Sequence, residues 1–222
     1  MNSASPLPVD VVSDVVCRWC YIGKALLEKA IALKPDVAVD VRFHPFFLNP
    51  WVPREGMSRQ EYLIAKFGSV ERYNANNSRV VEAAASLGLP YAREKILRQP
   101  NTLDCHRLIH WAAASGNAAP MKQRLMELYF AEGGDLTDRE VLVAAAGRCG
   151  MDGAQVRDLL ASDADVEEVT RAADFAKEAG IEGVPCFIFG GSVALSGAQP
   201  PEALAQAIEQ AAAEYSGRVA AE

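Results

Sequence analysis

Near the N-terminus, the apolar residues change their spacing twice. Residues 7–12 (LPVDVV) form a short Val-rich run that ends in Ser-Asp, which predicts a buried strand entering a loop. Apolar positions in residues 17–33 recur at helical spacing and stop before Lys34-Pro35, which predicts a helix. Residues 37–43 (VAVDVRF) alternate apolar and polar side chains, as half-buried strands do. The order strand, helix, strand indicates the beginning of a βαβ unit.

The middle of the chain carries helical patterns. A proline-containing connection, HPFFLNPWVPREGM, leads to a predicted helix that begins at Ser58 and ends at Gly68. Residues 70–161 are patterned as helices almost throughout, with glycines and prolines as punctuation. We find no internal repeat and no low-complexity segment.

Strand patterns return only near the C-terminus. A predicted helix over residues 166–179 precedes two short strands, CFIFGG and SVALSG, which the Gly190-Gly191 turn joins. Pro200-Pro201 then open a last helix that we expect to run through Ala213.

These elements predict an α/β fold in which one sheet is assembled from both ends of the chain. We expect residues 1–54 and 162–222 to form this discontinuous domain. Residues 55–161 are then an all-helical domain inserted into it.

Charge and composition exclude several classes of partner. The chain of 222 residues has 22 basic and 29 acidic side chains, a formal charge of −7 and no basic stripe. Nucleic acid and anionic membrane surfaces are therefore not expected partners. The N-terminus lacks a basic region, prolines and aspartates interrupt its apolar run, and no segment approaches the roughly 20 apolar residues of a membrane span. We expect a cytoplasmic protein.

Cys17 and Cys20 form a C-x-x-C pair at the start of the first predicted helix. A sulfur at a helix start lies beside unsatisfied backbone N–H groups, whose partial positive charge favours the thiolate. The thiolate is the nucleophile in thiol chemistry, and such sites lower a cysteine pKa from about 8.5 to between about 3.5 and 7.5. Arg18 adds a positive charge nearby. We predict that Cys17 attacks, and that the more buried Cys20 resolves a mixed disulfide.

Two other interpretations of the pair remain. A zinc site needs further ligands, and the other candidates are Cys105, His106 and His110 on one predicted helix. Alternatively, the pair is structural. The strand–loop–CxxC–helix context favours redox chemistry over both, so we predict no metal. The remaining cysteines, Cys105, Cys149 and Cys186, are interpreted as small buried apolar residues.

The segment GVPCF offers a second candidate feature at Pro185. Proline at a strand entry cannot donate a ladder hydrogen bond, and it is the residue type that accepts a cis peptide bond at low cost. A cis Val184–Pro185 bond would turn the Val184 backbone toward an extended substrate. An ordinary turn proline explains the same residues.

Four segments in order resemble the DsbA type of the thioredoxin-like family, and more narrowly its FrnE-like branch. VVSDVVCRWCYIGK resembles the branch's strand and C-P-W-C-Y-I-G-K segment, with Arg18 where proline is usual. FHPFFLNPWVPREGMSRQEYLIAKFG resembles its R-P-F-x-L-N-P block and tyrosine-bearing helix. NTLDCHRLIHWA resembles its N-T-x-x-A-H-R-L helix start. GVPCFIFGGSVALSGAQPPEAL resembles its G-V-P-x-F strand and S-G-A-Q-P-P-E turn.

The resemblance implies a thioredoxin-like fold with an inserted helical domain and thiol–disulfide oxidoreductase or isomerase activity. On that basis Pro185 is the cis-proline that faces Cys17 and Cys20. The residues implied or expected at the substrate are Arg18, Trp19, Val184, His106 and Asn101. Asn101 and Thr102 also make good helix-start residues, which is a sufficient structural role for them.

Disulfide exchange by this dithiol requires no metal or organic cofactor, and the expected substrate is a disulfide-containing protein or a small thiol. Glutathione is a candidate reductant or co-substrate, since related kappa-class glutathione transferases and 2-hydroxychromene-2-carboxylate isomerases use the same fold. Two alternatives stay open: a glutathione-dependent transferase or isomerase of a small aromatic molecule, and a redox-switched binding (holdase) module. The sequence leaves the oligomeric state open, with a homodimer as one option.

Overall fold

A four-stranded mixed sheet joins the two ends of the chain. The computed structural model describes residues 5–75 and 77–219. Its strands are β1 (Leu7–Ser13), β2 (Val39–Pro45), β3 (Met57–Ser58), β4 (Arg98–Gln99), β5 (Cys186–Phe189) and β6 (Val193–Ser196). The main sheet has the order β2-β1-β5-β6, with β1 and β2 parallel and the other neighbours antiparallel. This arrangement confirms the predicted sheet built from both chain ends.

Helices surround this sheet and fill the segment between β2 and β5. They are α1 (Arg18–Ala32), α2 (Arg59–Phe67), α3 (Val70–Ala75), α4 (Ser78–Ser86), α5 (Leu103–Ala113), α6 (Ala118–Glu127), α7 (Arg139–Arg148), α8 (Gly153–Ala161), α9 (Val166–Glu178) and α10 (Pro201–Val219). A 3-10 turn (Arg93–Lys95) and a π-helical turn (Leu128–Glu132) interrupt the helical segment. In the described part of the chain, no helix combines the length and the apolar composition that crossing a membrane requires.

The element boundaries differ from the predicted ones in a few places. Strand β2 begins two residues later than the alternating pattern indicated, and α10 continues beyond Ala213 to Val219. Strands β3 and β4 pair antiparallel inside the helical segment and were not predicted. A strand of two residues is too short to show a periodic pattern, which explains the omission.

Two apolar layers cover the main sheet. On one face, Leu7, Val9 and Val11 pack against α1 and α10, where Leu27 and Ile208 are among the buried partners. The opposite face carries a smaller cluster that includes a residue of α9. Because side chains alternate along a strand, β1 supplies both layers.

A third apolar cluster contains the dithiol. Cys17 and Cys20 are buried in it together with side chains of α5, α6, α7 and α8. The N-terminal end of α1 therefore packs directly on the helical segment. The boundaries expected for the inserted domain at residues 55 and 161 stay a prediction.

Candidate active site

Cys17 is the N-cap residue of α1, outside the helix but fixed to its first turn. Its sulfur accepts a hydrogen bond from the Cys20 backbone N–H at 3.3 Å, and its carbonyl accepts from the N–H groups of Cys20 and Tyr21. A helix start has backbone N–H groups without helical partners, and a side-chain acceptor at the cap satisfies one of them. The sequence therefore holds the Cys17 sulfur where the helix favours negative charge.

The two thiols have opposite pKa shifts. The pKa of Cys17 is lowered, chiefly because the Cys20 thiol donates a hydrogen bond to its sulfur; burial opposes this effect, and the Cys20 N–H supports it. Burial raises the pKa of Cys20 well above its usual value, and the hydrogen bond and charge of Cys17 add to the rise. Both cysteines are free thiols. Cys17 thus ionises first, while Cys20 keeps its proton.

Arg18 lines the same pocket as Cys17 and contacts the helical segment. Its guanidinium donates to Asn77 Oδ1 at 2.6 Å and lies 4.9 Å from the centre of the Tyr73 ring. The main groups that lower the pKa of Cys17 belong to Cys20. The expected contribution of Arg18 to the thiolate stays a prediction, and its side chain also bridges α1 to the helical segment.

Pro185 closes one side of the dithiol. The Val184–Pro185 peptide bond is cis, as predicted. The Cys17 thiol donates to the Val184 carbonyl oxygen, with an S···O distance of 3.6 Å. Gly23 lies against the proline ring: a Cβ added there would be 2.8 Å from Pro185 Cγ and 3.2 Å from Phe187 Cζ. The absence of a side chain at Gly23 is thus what lets α1 approach the proline loop.

A pocket of about 220 Å³ opens beside Cys17 between α1 and the helical segment. Its walls carry three basic side chains and several aromatic rings. The lining includes Arg18, Arg59, Lys66, Tyr62, Tyr73 and Tyr91. We call it the dithiol pocket. Trp19 and Val184, both expected at the substrate, also line it.

Arg59 and Lys66 are held in place by polar neighbours. Arg59 donates to Gln99 Oε1 at 2.7 Å and to the Tyr73 and Tyr129 hydroxyls at 3.2 Å. Lys66 donates to Asn49 Oδ1. Burial lowers the pKa of Lys66, and the charges of Cys17 and Asp14 oppose that effect. The pocket therefore presents fixed positive charge toward a reacting sulfur.

Sequence reasoning missed Arg59 and Lys66, although a signal for them existed. Arg59, Tyr62 and Lys66 are spaced i, i+3 and i+7 on α2, so they share one helical face. That face contains the basic and aromatic residues that line the dithiol pocket.

Behind the dithiol lies a buried polar layer. Asp14 is fully buried and accepts from the Leu48 N–H at 2.9 Å, with His106 Nε2 at 3.3 Å from its other oxygen. Burial raises the pKa of Asp14, but the hydrogen bond and charge of His106 outweigh it, so that the net shift is downward. Burial lowers the pKa of His106, although Asp14 opposes the effect. Lys122, 1% exposed, completes the layer.

Two residues expected at the substrate lie elsewhere in the structure. His106 is buried against Asp14 and lines a second cavity, which shares no residue with the dithiol pocket. Asn101 donates to the Val52 carbonyl oxygen at 2.7 Å and accepts from the Leu103 N–H at 3.0 Å, which ties it to the start of α5. A substrate-binding role for either residue stays a prediction.

The side chains weighed as zinc ligands do not converge. Cys105 is fully buried, His106 faces Asp14, and His110 Nε2 lies 3.9 Å from Glu168. Within residues 5–75 and 77–219, the one cluster with ligand-like spacing is His110, Asp165 and Glu168, which lacks cysteine. Cys105 and Cys186 are buried as predicted, whereas Cys149 is only half-buried.

Comparison with known proteins gives consistent matches along the chain. The sequence profile of the DSBA-like thioredoxin domain matches residues 8–209. The crystal structure of a probable DsbA oxidoreductase, SCO1869 from Streptomyces coelicolor, is 34% identical in sequence, covers 94% of this chain and 91% of its own, and superposes with a TM-score of 0.85. Uncharacterized protein YwbO from Bacillus subtilis (strain 168) is 28% identical over 186 residues, which are 83% of this chain and 88% of that protein.

A more distant structure shares the fold. Cytosolic disulfide reductase DsbM from Pseudomonas aeruginosa with GSH is 19% identical, covers 96% of this chain and 99% of its own, and has a TM-score of 0.60. These matches agree with a thioredoxin-like α/β fold that carries a helical insertion.

Proposed function

The chain belongs to the DSBA-like thioredoxin domain family, and from that premise we propose that it is a thiol–disulfide oxidoreductase with Cys17 as nucleophile and Cys20 as resolving thiol. One observation carries the proposal: the Cys17 sulfur is fixed at the start of α1, has a lowered pKa, and faces both Cys20 and Val184. A thiolate held in this way is both ionised and oriented for attack.

The exchange would proceed in two displacements. The Cys17 thiolate attacks one sulfur of a substrate disulfide, so that a mixed disulfide forms and the other substrate sulfur leaves as a thiolate. Cys20 then gives up its proton and attacks Cys17 Sγ, which releases the second substrate thiolate and leaves a Cys17–Cys20 disulfide. Two electrons pass from the dithiol to the substrate. Two equivalents of a reducing thiol return the pair to its starting state.

The dithiol pocket supports a small acidic substrate. Cys17 is 5% exposed, which leaves little room for the disulfide of a folded protein. Arg18, Arg59 and Lys66 line the approach, and basic side chains recognise carboxylates by charge-assisted hydrogen bonds. Glutathione, a thiol with two carboxylates, fits these requirements as the recycling reductant or, in its disulfide form, as substrate. The chain has five cysteines, an odd number that is scattered along the sequence, which suits a cytoplasmic, reducing setting.

The enclosed pocket also favours a second candidate, a glutathione-dependent transferase or isomerase of a small aromatic molecule. Aromatic rings such as Tyr62, Tyr91 and Phe130 line it and could stack on such a substrate. That chemistry needs one activated sulfur rather than two. Product formation that survives the loss of Cys20 would support it.

The test combines a titration with a substitution. The alkylation rate of Cys17 against pH should give a thiolate midpoint well below the free value of about 8.5. Cys17→Ser should reduce the turnover of glutathione disulfide and of insulin to the uncatalysed rate. A midpoint at or above the free value, or wild-type turnover in Cys17→Ser, would show that the proposed mechanism is wrong.

A further inference from the structure

The surroundings of Cys17 favour a slim electrophile. The residue is 5% exposed and lines the dithiol pocket, whose volume of about 220 Å³ is below the range of about 300–1,000 Å³ that is usual for small-molecule sites. Each sulfur of a disulfide carries a carbon chain, whereas the terminal oxygen of a hydroperoxide carries a hydrogen atom. A hydroperoxide therefore presents its reacting atom to a recessed sulfur with less crowding than a disulfide does.

Lys66 brings an acidic proton to the same pocket. The side chain is half-buried and lines the dithiol pocket together with Cys17. Among the described residues, its hydrogen-bond acceptor is Asn49 Oδ1, which leaves two of the three N–H donors of the ammonium for other partners. The charge of Cys17 is the largest of the effects that raise the pKa of Lys66, so the ammonium is near enough to respond to that sulfur. Burial outweighs this effect and lowers the pKa, which makes the ammonium a stronger acid.

Such a proton donor assists an oxygen leaving group more than a sulfur leaving group. Attack on a disulfide expels a thiolate, whose conjugate acid has a pKa of about 8.5. Attack on a hydroperoxide expels an alkoxide, a base comparable to hydroxide, and the pKa of water is about 15.7. A more basic leaving group gains more from protonation as it departs. A proton donor beside Cys17 therefore favours the reduction of a hydroperoxide more than it favours disulfide exchange.

Cys20 is placed to complete such a reaction. Its thiol donates a hydrogen bond to the Cys17 sulfur, and the residue is 2% exposed. A sulfenic acid formed on Cys17 would lie directly beside this thiol, with which it condenses to a disulfide. The condensation removes the sulfenic acid before a second hydroperoxide oxidises it irreversibly.

We propose that the dithiol also reduces small organic hydroperoxides, with Lys66 as the proton donor to the leaving oxygen. The inference rests on the proposed function, since both activities need Cys17 as the nucleophile. Apolar and aromatic walls, with Leu48, Tyr62 and Phe130 among them, suit an alkyl group on the hydroperoxide.

The reaction balances in two displacements. The Cys17 thiolate attacks the terminal oxygen of the hydroperoxide, so that an S–O bond forms, the O–O bond breaks, and the alkoxide takes a proton from Lys66 to leave as an alcohol. Cys20 then attacks the sulfur of the sulfenic acid, and hydroxide leaves with the Cys20 proton as water. Two electrons pass from the dithiol to the hydroperoxide. Two equivalents of a thiol such as glutathione reduce the new disulfide, and Lys66 regains its proton from water.

Quenched-flow oxidation of the reduced full chain by tert-butyl hydroperoxide, followed by mass spectrometry, tests the proposal. We expect a rate constant about a hundredfold or more above that of the thiolate of free cysteine. Cys20→Ser should retain the first step and hold a sulfenic acid that dimedone traps, and Cys17→Ser should give no adduct. A rate constant no larger than that of free cysteine thiolate would overturn the proposal.

The reduction of 2-hydroxyethyl disulfide by the same sample separates this inference from the proposed function. Fast disulfide reduction with slow hydroperoxide reduction would overturn the inference alone, whereas the free-cysteine rate with both substrates would overturn the proposed function too. Lys66→Gln should lower the ratio of the hydroperoxide rate to the disulfide rate by about tenfold or more. Lys29→Gln, at an exposed position on α1, should keep the wild-type ratio. An unchanged ratio in Lys66→Gln would contradict the proposal.

Discussion

Two cysteines one helical turn apart meet different surroundings in this protein. Cys17 caps α1, accepts a backbone N–H and opens on a pocket of basic and aromatic side chains. Cys20 is 2% exposed and lies toward the buried layer of Asp14 and Lys122. The charge of Asp14 raises the pKa of Cys17, and the charge of Lys122 lowers the pKa of Cys20. Cys17, beside the dithiol pocket, therefore has a lowered pKa, and Cys20, beside the buried polar layer, has a raised pKa. Position relative to the helix start and to solvent, and not residue identity, separates the two roles.

The largest expected effect on this difference comes from removing one of the two sulfurs at a time. Cys20→Ser should retain the attack by Cys17 but lose the release step, so that turnover stops and a mixed disulfide accumulates. Mass spectrometry after incubation with glutathione disulfide should show one added glutathione in Cys20→Ser. Cys17→Ser is the matched control and should show none at position 20. Equal labelling of both variants would mean that the two sulfurs are equivalent, and the comparison would fail.

A second test concerns the contact between α1 and the proline loop. Gly23→Ala places a Cβ 2.8 Å from Pro185 Cγ, so we expect the free energy of unfolding to fall by about 1–3 kcal/mol from overpacking. The alkylation rate of Cys17 should fall as well, because the loop that faces its sulfur must shift. Urea denaturation and alkylation kinetics measure the two effects.

Gly147 offers the matched control for Gly23. It lies within α7, and a Cβ added there meets no atom within 4 Å. Gly147→Ala should stabilise the protein by about 0.5–1 kcal/mol, because alanine loses less backbone entropy in a helix. If Gly23→Ala is stabilised as well, there is room for a Cβ at this position, and close packing of Pro185 on α1 does not fix the proline loop.

The sequence pattern was sufficient for the sheet built from both chain ends and for the dithiol, but not for Arg59 and Lys66 in the dithiol pocket. Valine-rich alternation and the C-x-x-C spacing lie within single elements, so local periodicity reports them directly. The cis bond before Pro185 was also predicted, although an ordinary turn explained the same residues, and the structure confirms it. The two-residue strands β3 and β4 lay below the length at which any pattern appears.

The back of the site depends on contacts between distant segments, which no local pattern shows. Asp14 and His106 are 92 positions apart and Lys122 contacts Ser13 across 109. One signal was available for Lys122: with Leu125, Met126 and Tyr129 it occupies one buried helical face. A charged residue on an apolar face indicates a special environment, but it does not indicate which partner lies there.

The basic lining of the dithiol pocket gives a moderate expected effect. Lys66→Gln should raise KM for glutathione disulfide by about three- to tenfold, through the loss of a charge-assisted contact to a carboxylate. It should leave kcat nearly unchanged and should not alter KM for the neutral 2-hydroxyethyl disulfide. Lys29→Gln, at an exposed position on α1, controls for loss of charge elsewhere. An equal effect on both disulfides would show that Lys66 does not recognise substrate charge.

The smallest effect concerns the buried layer and the pH dependence of stability. The pKa of His106 is lowered from 6.5, chiefly by burial, so in the folded protein the imidazole remains neutral at pH values where the unfolded chain binds a proton. The unfolded state then holds more protons, and stability falls as pH drops from about 6.5 toward the folded pKa. Asp14, whose pKa is lowered from 3.8 against the effect of burial, adds a further loss below about pH 3.8.

His106→Asn should reduce the slope of the free energy of unfolding against pH below about pH 6.5. It removes the imidazole that takes up a proton on unfolding. His110→Asn removes an imidazole whose side chain is 40% exposed and serves as the matched control. Urea titrations between pH 5 and 8 give the free energy of unfolding at each pH. If His106→Asn retains the wild-type slope and His110→Asn does not, the exposed His110 takes up the proton on unfolding. The buried layer behind Cys20 is then not the pH-sensitive region. A flattened slope in His106→Asn alone would place this proton uptake at the imidazole that is buried against Asp14, in the layer behind Cys20.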